Sequence, residues 1–106
     1  MRRTAALLLS LTALAFTSTA AADDPVRGKE LSTVCQACHG ENGNLALQPE
    51  YPLIGGQHFD YLVHALRAYR SGDRENAIMA GFAQNLSDQD IRDLAAWYSR
   101  QDGQLK

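Results

Sequence analysis

Apolar and polar positions along this chain of 106 residues divide it into an apolar leader, three helical patterns and two loops. The clearest stripe runs from Phe59 to Tyr69, where Phe59, Leu62, Val63, Leu66 and Tyr69 follow i, i+3, i+4, i+7 and i+10. Ser71-Gly72 closes that helix. Upstream, Val26, Leu31, Val34 and Cys38 fall at helical spacings, and Pro25 suits a first turn, so the pattern predicts a short helix over 26–38. Between the two, Gly40, Gly43, Gly55 and Gly56 with Pro49 and Pro52 mark a loop. Residues 73–86 read as a second loop with room for a helical turn. Ser87 followed by Asp90 has the form of a capping box, and Asp88 and Asp90 put negative charge at the positive end of a helix dipole. Ile91, Leu94, Ala95 and Tyr98 line one face of that last helix, with Trp97 beside it. No segment alternates as a strand would, and the expected fold class is all-α.

The first residues belong to a different category. Arg2 and Arg3 precede a stretch from Ala5 to Phe16 that is almost wholly apolar, and small residues then lead to Ala20-Ala21-Ala22. This is the three-part pattern of a cleaved secretory signal, too short for a membrane span of about 20 residues. The expected division is a signal peptide at 1–22 and one domain at 23–106, exported most simply to a bacterial periplasm. An uncleaved N-terminal anchor is the alternative.

A domain of that length sits close to the limit of about 70–80 residues below which one core struggles to stabilise itself. After Ala22 the chain has one Trp, four Tyr and two Phe, and its two cysteines allow at most one disulfide. A large buried cofactor would supply the missing apolar centre. Without Arg2 and Arg3, 8 basic residues face 12 acidic ones, a formal charge of −4. No basic patch stands out, which argues against a nucleic-acid partner.

The chemistry concentrates in Cys35-Gln36-Ala37-Cys38-His39. Cys-x-x-Cys-His is the attachment pattern of c-type haem. Two thiols on one helical turn reach the two vinyl groups, and the adjacent imidazole meets the iron. A thioredoxin-like pair would need a βαβ context that this chain lacks. A disulfide within the pair would be strained and would leave His39 unexplained. A zinc site would need further ligands, and His58 and His64 show no zinc spacing. One covalent haem c per chain is therefore expected, held by Cys35 and Cys38 with His39 on the iron. For the second axial position, Met79 is the one methionine after Ala22. His/Met iron suits an electron carrier; His58 and His64 are the rivals and would lower the potential.

These residues resemble class I cytochromes c, in particular the small c553 type and the single halves of dihaem cytochrome c4. The resemblance rests on Gly28-Lys29, the haem motif with Gly40, Gly43-Asn44, Tyr51-Pro52-Leu53-Ile54-Gly55-Gly56-Gln57 and Tyr61-Leu62. It continues through Tyr69-Arg70-Ser71-Gly72, Arg74, Met79 and Asn85-Leu86-Ser87-Asp88 to Trp97-Tyr98. It implies that the Pro52 carbonyl bonds the Nδ1 of His39. It also implies that the first and last helices cross closely, Gly28 and Leu31 meeting Leu94 and Trp97 or Tyr98. Where the c4 branch often carries a second Met three positions after the ligand, this chain has Phe82. Tyr51, Arg70 and Arg74 read equally well as haem-propionate contacts or as solvent-facing residues.

The implied function is that of a single-haem, one-electron carrier, not an enzyme, working through transient contacts with redox proteins. A monomer without stable membrane insertion is expected. The alternatives are a haem subunit of a larger oxidoreductase, or a sensor or enzyme with an open sixth position.

Overall fold

A computed structural model describes residues 2–16 and 22–105. Residues 2–16 are exposed and form no regular structure. Of the expected cleavage segment, Ala20 and Ala21 lie outside the described residues. The rest forms α1 (Pro25–Leu31), a 3-10 turn (Ser32–Val34), α2 (Gln36–His39), α3 (Phe59–Ser71), α4 (Ala77–Ala83) and α5 (Asp88–Ser99). There is no strand among the described residues, and the fold is all-α. No helix among them is long and apolar enough to cross a membrane.

Where one helix is expected over 26–38, there are two short helices joined by a tighter turn. The hydroxyls of Ser32 and Thr33 donate to the carbonyls of Lys29 and Glu30, at 2.7 and 3.0 Å. Such bonds to the preceding turn compete with the α-helical ladder, and Cys35 N–H then donates to the Ser32 carbonyl three residues back. The expected apolar stripe breaks with it: Val26 and Val34 are 69% and 58% exposed, and only Leu31 packs on the core. The 73–86 segment is more ordered than a loop, since residues 77–83 form α4.

The other boundaries follow from local chemistry. Asp24 caps α1 by accepting from Val26 and Arg27 N–H, and Pro25 fills the first position, where no N–H is needed. Gly72, at φ 86°, ends α3 in the left-handed conformation. Both reciprocal bonds of the Ser87–Asp90 capping box are made.

Helices α3 and α5 share the core of Leu62, Val63, Ile91, Leu94, Ala95 and Tyr98. Helix α1 crosses α5 on the other side at Gly28, where a Cβ would collide with the Asp93 carbonyl oxygen and lie 3.0 Å from Trp97 Cβ. Leu31 packs on the cluster that contains Leu94 and Tyr98. A polar knot seals this crossing. Asp93, 1% exposed, accepts from Asp24 N–H at 2.9 Å, Arg27 Nη1 at 2.8 Å and Gln89 Nε2 at 2.8 Å. Arg27 also reaches Asp90 at 2.6 Å, and Arg92 holds Asp23 through two bonds of 2.7 and 2.9 Å. Burial alone would raise the Asp93 carboxyl; the Asp24 N–H, Arg27 and Gln89 outweigh it and hold the group below the usual carboxylate range.

Two outcomes follow for stability. Gly28→Ala forces α1 away from α5 and costs about 1–3 kcal/mol in a denaturant titration, the usual range for overpacking. The lowered Asp93 carboxyl contributes stability that is full above the unfolded value of about 4 and is lost as pH falls through the folded one. Asp93→Asn therefore lowers stability at pH 7 and flattens its decline on acidification, as measured by unfolding between pH 7 and 2.

Candidate haem site

The walls of α2, α3, α4 and α5 enclose a cavity of about 370 Å³. Cys35, Cys38, His39, Pro52 and Met79 all line it, although they come from three separate stretches of chain. Most of the remaining wall is apolar, including Ile54, Leu62, Leu66, Leu94 and Phe82, while Glu50, Arg74, Asn76 and the hydroxyls of Tyr51, Tyr69 and Tyr98 are its polar members.

One turn of helix brings the motif together. Cys38 and His39 N–H both donate to the Cys35 carbonyl, at 3.2 and 3.0 Å, and Gly40 at φ 81° ends the turn. The chain then folds back: Leu45 and Leu47 N–H donate to the carbonyls of His39 and Cys38, each at 3.3 Å. Gly43 pins the returning strap, its carbonyl accepting from Ile54 and Gly55 N–H at 2.8 and 2.9 Å. At φ 81°, with Gly55 N only 2.7 Å from where a Cβ would stand, position 43 accepts glycine alone. The strap carries Pro52 to His39, and Nδ1–H donates to the Pro52 carbonyl across 2.8 Å. A carbonyl only accepts, so the proton sits on Nδ1 and the lone pair is left on Nε2.

His39 is buried, whereas His58 and His64 are exposed and are not part of the cavity wall. Met79 is half-buried in the first half of α4. Tyr51 and Arg74 reach the cavity; Arg70 does not, being held by the Leu86 carbonyl at 3.0 Å and Asp88 at 2.6 Å. Among the described residues, no group of three or more His, Cys, Asp or Glu is arranged to hold a metal ion.

The chemistry of this wall fits a covalent haem. As a thiol, Cys35 is pushed up by burial, with Cys38 adding to the rise and the Tyr98 hydroxyl opposing it. Cys38 in turn raises the Tyr51 hydroxyl. Burial pushes the Tyr98 hydroxyl far up, so it remains a donor; it lies beside Ser32 and Cys35 but makes no well-formed hydrogen bond to either. A buried donor without a well-formed hydrogen bond, on the wall of a largely apolar cavity, suits a bound group that completes its surroundings. Among the wall residues that sequence reasoning does not single out are Asn76 and Tyr98, the latter presented by the apolar stripe only as core. The signal available for Asn76 is its identity as a strong N-cap ahead of Ala77-Ile78-Met79.

Two thiols, a tautomer-fixed imidazole and a largely apolar wall define a c-type haem protein. The sequence profile described as "Cytochrome c" matches residues 25–99, and the chain belongs to that family. It is 44% identical over 84 residues to cytochrome c-554(548) of Halomonas halodenitrificans, covering 76% of this chain and all of that one. With cytochrome c4 of Pseudomonas aeruginosa it shares 40% identity over 95 residues, 90% of this chain but 45% of the relative. The crystal structure of reduced recombinant cytochrome c4 from Pseudomonas stutzeri superposes with a TM-score of 0.72 at 36% identity, over 77% of this chain and 47% of that one. The chain thus spans about half the length of its c4 relatives. The domain carries one covalent haem c through Cys35 and Cys38, and its class is that of electron carriers.

Replacing both cysteines by alanine removes the covalent link. The variant's band on a denaturing gel then loses the haem stain that the parent protein keeps.

Proposed function

We propose that this chain is an exported one-electron carrier whose haem iron is bound by His39 and Met79. The observation that carries the reading is that Met79, the lone methionine of residues 23–106, lines the same cavity as His39. Bound through Cys35 and Cys38, a haem would supply a one-electron ferrous/ferric couple. The protein's own residues do the rest. The Pro52 carbonyl orients His39 and makes Nε2 a better ligand. A thioether is a soft, uncharged donor, and His/Met ligation raises the potential. Ile54, Leu62, Leu66 and Leu94 keep the site apolar, which disfavours the more highly charged oxidised state. Held by His39 and Met79 together, the iron would need no substrate at the metal, and no base or nucleophile would take part.

Export is the second element of the proposal. The basic start, the apolar run and the Ala-x-Ala segment support removal of residues 1–22, and Asp23 and Asp24, the next residues, are held by Arg92 and Asp93. Cysteine thioethers and a bacterial kinship with the c4 proteins accord with a periplasmic location. Partners are proposed to be other redox proteins that dock transiently, in contacts burying less than about 1,200 Å².

The test is an absorption spectrum with a redox titration. The ferric protein shows the weak band at the red end of the visible that marks iron–thioether ligation. Met79→Ala abolishes the band and lowers the midpoint potential. A parent protein without the band overturns the His/Met reading. Mass spectrometry of the exported protein, with a chain starting at Asp23, checks the cleavage.

A further inference from the structure

Helix α4 is held unevenly. At its C-terminal end Ala83 is fully buried, and the next apolar residue, Leu86, packs on the core. At its N-terminal end Ala77 and Ile78 are exposed, and the stretch before it, residues 71–76, is exposed throughout. Arg74 ties that stretch to α3 through its N–H to the Ala68 carbonyl, its side chain to Tyr61 and its stacking over Tyr69. That tie ends before α4 begins. The N-terminal turn, which carries Met79, is fixed by Asn76: its side-chain Oδ1 accepts Met79 N–H at 3.0 Å, and its carbonyl accepts Ala80 N–H at 2.8 Å. A helix of seven residues has little stability of its own, so a cap governs whether its first turn forms.

We propose that Asn76 is the positioning residue of Met79: its side chain fixes the Met79 backbone so that the thioether is presented to the cavity that Asn76 itself helps to line. The inference rests on Met79 being the axial ligand. A cap bond that forms only with Met79 in that position favours the Met-bound arrangement over the released one by about fivefold, the usual worth of such a cap. The serine cap of α5, Ser87, is the built-in comparison. It has the same kind of bond, to Asp90 N–H at 3.0 Å, on a helix whose core contacts carry no ligand turn.

The experiment titrates the ferric holoprotein with imidazole, which competes with the thioether for iron, and follows the near-red band and the Soret shift. Asn76→Ala is expected to tighten apparent imidazole binding about fivefold. Asn76→Ser, which keeps a capping oxygen, stays near the parent. Ser87→Ala lowers the denaturation midpoint but leaves the imidazole titration in place. The proposal is overturned if Asn76→Ala titrates like the parent, or if Ser87→Ala shifts the titration as far as Asn76→Ala does. A parent protein lacking the near-red band fails at the earlier step, overturning Met79 ligation and this inference with it.

Discussion

Everything in this domain is arranged around a single constraint: a short chain has to enclose a cavity larger than its side chains can fill. The largest fully buried side chains are Ile91, Asp93 and Ser32, a small set for a core, and two of the three are polar. The apolar cluster of α3 and α5 accordingly serves as a wall, with Leu62 and Leu94 belonging both to the core and to the cavity. A haem bound there converts wall into interior, and the burial of apolar surface at about 25 cal/mol per Å² becomes part of the stability of the fold. Cofactor binding and folding are thereby one problem.

The side of the domain away from the cavity is closed by polar chemistry. Gly28 lets α1 lie on α5 at backbone distance, and the Asp93 carboxylate beneath it is fully engaged by an N–H, a guanidinium and an amide. Exposed ion pairs contribute little, but one whose carboxylate is buried and triply bonded resists removal of any partner. The strap from Gly40 to Gly56 closes the remaining side by backbone bonds, and Gly56 N–H donates to the Tyr98 carbonyl near the end of α5. Pro52 thus bonds His39 from a strap that is itself tied to the core helix.

How much of this is legible in the sequence depends on whether the signal is local. The capping box at Ser87 and Asp90, the stripe of α3 and its glycine stop are local, and they appear where the pattern puts them. Cys35, Cys38 and His39 are a group in the sequence and remain one in space. The break at Ser32 is not legible from apolar spacing, because hydroxyl bonds to the previous turn cause it. Helix α4 escapes because its large apolar residues Ile78 and Phe82 are 55% and 46% exposed and only the small Ala83 is fully buried, so no stripe announces it. Asp93 is invisible for a different reason. An acidic residue on a helix reads as solvated, and only the arrival of residues 24 and 27 from the far end of the domain makes it a buried hub.

The uneven anchoring of α4 also gives the molecule a gradient of rigidity. His39 is buried and bonded to a strap that is itself tied to α5, whereas Met79 rides on a seven-residue helix with an exposed first turn. Local opening draws on the least buried contacts first. Warming or mild denaturant therefore reaches α4 while α1 and α5 remain closed, and its amides exchange with solvent ahead of theirs. The histidine side is the frame of the site, and the methionine side is its hatch.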